Sequence, residues 1–226
     1  IDALLMSLSL EVDPGFGAVW KPFLGQARAP DLREAIDLLE ADPIARLRAR
    51  RLLDPGEALD RWALIEGRGR PMAASRLVPF LMGDVHPDPT LAPCLTPLNT
   101  EDAPRSLGLP RVDTEIQQLI PRLMAAGSLG LLVLRGPASA TRLEAASILA
   151  RGLDCPSLLI DLVLDPTPEA GLIKRWLREA ALLGACLVVD GAVTEDKADD
   201  VASVIGQLLE GAPGAVILLN QHHREA

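Results

Sequence analysis

The stretch LRGPASATRL, residues 134–143, follows an apolar run and opens an amphipathic one, RLEAASILARGL. An extended segment, a glycine-bearing turn and a helix start form the setting in which backbone N–H groups and a helix N-terminus hold phosphate. The phosphate-binding consensus G-x-x-x-x-G-K-[ST] has glycines for close backbone approach, a lysine for the β- and γ-phosphates and a hydroxyl for Mg²⁺. With Gly136 as its first glycine, the second falls on Thr141, the lysine on Arg142 and the hydroxyl on Leu143. Thr141 adds a Cβ where the backbone must curl tightly. Arg142 keeps the charge as a planar fork in place of a compact ammonium. Leu143 cannot ligate a metal. The turn keeps the frame of a nucleotide site without its chemistry, and it reads equally as an ordinary turn with Thr141 capping the next helix.

Two further residues stand where nucleotide chemistry would use them. ALLGACLVVDGA ends an apolar run in Asp190, the pattern of an aspartate beside Mg²⁺, and Gly191 follows where a glutamate would polarise the attacking water. GAVILLNQHH ends a run in Asn220, a polar group able to sense a γ-phosphate. Asp at a strand end and Asn in a turn are also routine. The expectation is a vestigial nucleotide site of Gly136, Thr141, Arg142, Asp190 and Asn220, with no catalytic residue and no metal. No cofactor is expected, or at most weak ATP or ADP with Mg²⁺. His86, His222 and His223 have no further ligand at metal-binding spacing and read as turn and loop residues. No Ser/His/Asp or Cys/His arrangement is recognisable.

The elements that must position these residues lie downstream of the Pro/Gly punctuation TEDAPRSLGLPRV, residues 100–112. After the helix-like VDTEIQQLIPRLMAAG, apolar runs at 128–135, 156–162, 185–190 and 214–219 alternate with amphipathic runs at 141–152, 168–183 and 196–209. Continuous apolar strands separated by helices predict a parallel α/β sheet with crossover helices, buried on both faces. The division predicted is 1–104 for an upstream helical domain and 105–226 for the α/β module.

Upstream, IDALLMSLSLEV, GAVWKPFLG, DLREAIDLLEAD and PIARLRARRLLD read as helices separated by turns such as DPG at 13–15. Asp31 is a candidate N-cap with Glu34 completing a capping box, and Leu32, Ile36, Leu38 and Leu39 supply the expected buried stripe. LDRWALIEGRGRPMAASRLVPFLMGD predicts a small hairpin or wing leading into a helix, hence a winged-helix-like domain. Arg46, Arg48, Arg50 and Arg51 form the basic cluster, flanked by acids. One reading is a DNA-recognition helix in a winged-helix regulator; the other is a solvated face paired with those acids.

The 226 residues carry a formal charge of −9, and nearly half are hydrophobic with no tyrosine. That charge argues against a nucleic-acid partner, whose phosphates demand a basic face, and favours protein partners. The longest apolar runs are of strand length, so nothing spans a membrane. Cys94, Cys155 and Cys186 stand singly, with Cys155 and Cys186 expected as small core residues of a reduced, cytoplasmic protein. The chain opens at Ile1 inside a helical pattern, and a piece of a longer protein, or a chain whose ends are not ordered, is expected.

The whole chain resembles the N-terminal part of the AAA+ family ATPases encoded with phage-tail-like contractile injection systems. The resemblance rests on LMSLSLEVDPGFGAVW, LDRWALIEGRGRPMAASRLVPFLMGD, RGPASATRLEAA and GACLVVDG. It implies a winged-helix-type domain, a degenerate first P-loop NTPase (AAA+-like) module and a second module beyond this chain. It also implies that the strand ending at Asn220 lies between the first strand and the one ending at Asp190. Asp190 would then be the metal-side aspartate, Asn220 the sensor, and Arg142 would stand at the lysine position. The implied role is oligomerisation, with copies of itself and injection-system components as partners, in assembly or remodelling of the apparatus. A genuine ATP-binding module with a non-standard loop is the alternative within the same family.

Overall fold

A computed structural model describes residues 1–67, 69–98, 106–126, 130–136, 139–162, 167–191 and 198–220. The chain divides into two compact units, 1–85 and 86–226.

The first unit is built from short helices, α1 (Asp2–Val12), α2 (Phe16–Leu24), α3 (Leu32–Leu39), α4 (Pro43–Arg51) and α5 (Ala58–Arg61), then a two-stranded hairpin and α6 (Leu77–Leu81). The Asp13 carboxylate accepts from the Gly15 amide at 2.8 Å, which closes the turn between α1 and α2. Asp31 caps α3 by accepting from the amides of Arg33 and Glu34, and the Glu34 carboxylate accepts from the Asp31 amide at 2.9 Å, so the capping box is complete. The Arg28 guanidinium donates to the same carboxylate at 2.6 Å. It holds the Glu34 carboxyl down at about 2, well below the ordinary carboxylate range.

The stripe expected on α3 is only half right. Leu32 and Ile36 are buried together with Ala35, but Leu38 and Leu39 are 44% and 50% exposed. Leu38, two residues past Ile36, points away from the packed face, and Leu39 is the last helical residue. The hairpin pairs β1 (Ile65–Glu66) antiparallel with β2 (Met72–Ala73). Gly67 takes φ +81° at its turn, where a Cβ would meet the Arg70 carbonyl oxygen at 2.7 Å, so the position needs glycine. The buried Ser7 hydroxyl of α1 accepts from the Ala73 amide at 3.1 Å and ties β2 to the helices.

The second unit carries a five-stranded sheet. Its strands are β3 (Leu95–Pro97), β4 (Leu131–Arg135), β5 (Ser157–Asp161), β6 (Cys186–Asp190) and β7 (Val216–Asn220), in the spatial order β3-β5-β6-β7-β4. The four long strands are parallel, and β3 joins β5 antiparallel. Helices α7 (Pro110–Ala126), α8 (Ser139–Gly152), α9 (Ala170–Leu183) and α10 (Ala198–Gly211) accompany them. The α/β architecture matches the alternation of apolar and amphipathic runs. β7 lies between β4 and β6, so β6 is not the neighbour of β4.

Two expectations change here. Residues 95–97, which the punctuation at 100–112 places with the helical domain, belong to the sheet of the second unit. Their short run carries no periodic signal, and long-range pairing with β5 assigns them. Nor is every strand buried on both faces. β5, β6 and β7 are largely buried, but β4 occupies an edge, with Leu131 40% and Val133 38% exposed. A core of Ile116, Ala146, Leu149, Val188, Ile217 and Leu219 gathers α7 and α8 against the sheet.

A buried ionic cluster fastens the segment before β3. Arg178 and Glu179 of α9 are 1% and 0% exposed. The Arg178 guanidinium donates to Asp88 at 2.9 Å and to Glu179 at 3.1 Å. The Asp88 amide donates to Glu179 at 3.1 Å, while the Asp88 carboxylate caps the 3₁₀ turn Pro89–Leu91 through the Thr90 amide at 2.9 Å. No helix of the described residues is long and apolar enough to cross a membrane.

Candidate functional site

Parallel strands bring their carboxyl ends to one edge of a sheet, and ligands of open α/β sheets bind there. Three of the candidate residues lie at that edge because the register puts them there. Arg135 at the end of β4 is the partner of Asn220 at the end of β7, and Gly136 follows directly. Leu219 is the partner of Asp190 at the end of β6. Thr141 and Arg142 enter from the first turn of α8. Asp161, not singled out from the sequence, ends β5 as the register partner of Asp190, so two carboxylates stand side by side on neighbouring strands.

Arg142 and Leu143 each have a structural employment. Arg142 is 3% exposed, and its side chain folds back so that the guanidinium donates to the Gly136 carbonyl. Its Nε is buried without a hydrogen-bond partner. Leu143, at the hydroxyl position, packs against the core of α7, α8 and the sheet. Thr141 is exposed and lies inside α8, which begins at Ser139, so it is not the cap of that helix. The helix already begins two residues before Thr141. A side chain at Gly191 would place its Cβ 3.2 Å from Leu218 and 3.5 Å from Val201. That is tight contact for the first atom of any side chain placed there.

A cavity of about 760 Å³ borders this loop on the β4 side. Its apolar wall comes from Val112, Ile116 and Leu119 of α7 with Val133 of β4, and Gly136, Thr141 and Arg142 form its rim beside the loop. The sequence reading missed this wall, although the spacing of Val112, Ile116 and Leu119 marks one face of a helix. His222 and His223 lie outside the described residues. Among the described residues no group of three or more His, Cys, Asp or Glu side chains is arranged to hold a metal.

In the first unit, the basic helix α4 spends two of its arginines internally. Arg46 donates to the Glu40 carbonyl at 2.8 Å and lies 3.7 Å from Asp37, and Arg50 pairs with Asp37 as well.

No family model and no curated protein matches the chain. Among solved structures, a chain of the structure of the E. coli MS115-1 HORMA:CdnC:Trip13 complex is similar at 16% identity, with a TM-score of 0.28. The match covers 52% of this chain and 52% of that one, so this chain spans about half the length of the solved chain it matches.

Proposed function

We propose that this chain is the N-terminal part of an AAA+ ATPase of a contractile injection system, joining a winged-helix-like domain to a degenerate, non-hydrolysing P-loop NTPase-like module. It works in the cytoplasm by oligomerising and by docking protein partners during assembly or remodelling of the apparatus. The observation that carries the non-hydrolysing reading is the employment of three positions. Arg142 is turned onto Gly136, Leu143 packs against the core and a Cβ at Gly191 would press on Leu218. Hydrolysis needs lysine, metal-holding hydroxyl and activated water together. The insertion of β7 between β4 and β6, with Asn220 and Asp190 at adjacent strand ends, supports the choice of module. The injection apparatus rests on the sequence resemblance alone. A role in protein contacts is supported by α2, which exposes Phe16, Val19 and Phe23 at helical spacing.

Calorimetry with Mg·ATP tests this reading. Charge-assisted contacts are each worth about 1.5–3 kcal/mol, so losing two costs roughly two to four orders of magnitude in affinity. Millimolar binding or none, with no phosphate release, is expected. Micromolar binding would instead establish the second reading, a genuine nucleotide site with a non-standard loop, which the ligand-sized cavity beside Gly136, Thr141 and Arg142 favours.

A further inference from the structure

The edge of the sheet opposite the loop carries a different chemistry. Cys186 opens β6, and its register partner on β5 is Ser157, two residues past Cys155. The turn before β5 thereby sets the Cys155 thiol against the Cys186 thiol. Both line one small cavity of about 130 Å³, together with Gly184, Ala185, Pro213, Gly214 and Ala215. The small residues leave that space, and it is large enough for a few water-sized molecules. Cys186 is buried, while Cys155 is half-buried; neither is in a disulfide. The Ser157 hydroxyl lies 3.2 Å from the Cys186 sulfur.

We propose that Cys155 and Cys186 form a peroxide-reactive dithiol that closes to an intramolecular disulfide across the amino ends of β5 and β6. The pairing stands on the strand register and the shared cavity. The closeness of the two thiols supports it, lowering the Cys155 thiol below its ordinary range and, with burial, raising that of Cys186. Cys155 is the attacking sulfur, because the thiolate is the nucleophile and its thiol ionises first. Its sulfur attacks one oxygen of hydrogen peroxide, the O–O bond breaks, and the departing hydroxide takes up the proton lost by Cys155, leaving water and a sulfenic acid. The Cys186 sulfur then attacks the Cys155 sulfur, the S–O bond breaks, and the second hydroxide leaves as water with the Cys186 proton. Two thiols are oxidised by two electrons, and one peroxide is reduced to two waters. Cys94, outside the cavity, takes no part.

The test uses the full chain, reduced and then exposed to a small excess of hydrogen peroxide at neutral pH. Free thiols are alkylated after denaturation and the peptides mapped by mass spectrometry. The expected product is a monomer lighter by two hydrogens, with the Cys155 and Cys186 peptides joined, Cys94 alkylated, and the bridge reversed by dithiothreitol. Cys94→Ser should leave the yield unchanged and Cys155→Ser should reduce the linked species to background. On the unmodified chain, the rate of Cys155 alkylation by iodoacetamide should rise with pH with its midpoint below that of an ordinary thiol. The proposal fails if peroxide leaves both thiols free to alkylate, if Cys155 instead links to Cys94 or to a second copy, or if it proceeds to sulfinic acid without bridging.

Discussion

At the scale of single residues, Arg142 explains why the loop is more than a consensus with letters missing. A lysine in a phosphate loop reaches outward to its ligand, whereas this guanidinium is buried and bonded to the loop's own Gly136 carbonyl. Arg142→Lys alone should therefore leave Mg·ATP binding in the millimolar range. Thr141→Gly, Arg142→Lys and Leu143→Thr together should recover measurable binding by calorimetry without turnover. The hydroxyl at 143 replaces core packing, so the triple variant should also melt lower, by a loss on the order of 1–3 kcal/mol. Gly191→Glu is the complementary change. Its side chain meets Leu218 and Val201, so it should cost about 1–3 kcal/mol in denaturant unfolding and yield no phosphate release. A stable, hydrolysing Gly191→Glu variant would contradict the reading of that site.

At the scale of elements, two ionic arrangements set how segments are held. The Arg178–Glu179–Asp88 cluster ties α9 to the segment that leads into β3. Arg178→Met removes one partner and leaves Glu179 buried without its countercharge, which should cost about 3–5 kcal/mol by thermal or urea unfolding. Arg178→Met with Glu179→Leu should cost less than the sum of the single changes, because the pair shares one network. In the first unit the Glu34 carboxylate serves the capping box and Arg28 together. Its folded-state pKa, about 2, lies below the ordinary value of 4.5. A depressed carboxyl contributes stability above its unfolded pKa and loses it as pH falls through the folded one. The contribution should fade between about pH 5 and pH 2, and Glu34→Gln should flatten that part of the stability–pH curve measured by circular dichroism.

At the scale of the whole molecule, charge decides what the arginines of α4 mean. The net charge is −9, and Arg46 and Arg50 are engaged by Asp37 and the Glu40 carbonyl. A helix also disperses residues one and two apart around its axis, so Arg46, Arg48, Arg50 and Arg51 cannot present one continuous face. Fluorescence anisotropy should show no DNA binding by the chain at physiological salt. Sub-micromolar binding with a steep salt slope would restore the regulator reading.

What the sequence determined by itself is local. A 3.6-residue or unbroken apolar period, Asp31 with Glu34 three residues on, and the absence of lysine, hydroxyl and glutamate at three positions are each legible within one short window, because capping, helix burial and missing functional groups are properties of neighbours along the chain. The tertiary structure alone decided the rest. The recruitment of 95–97 into the sheet, the exposure of β4 and the meeting of Cys155 with Cys186 all depend on strands far apart in sequence. So does the inward turn of Arg142, since a guanidinium bonds whichever acceptor the packed backbone brings within reach. Register and packing pair residues that no local period connects, and those pairings determine what the candidate site can hold.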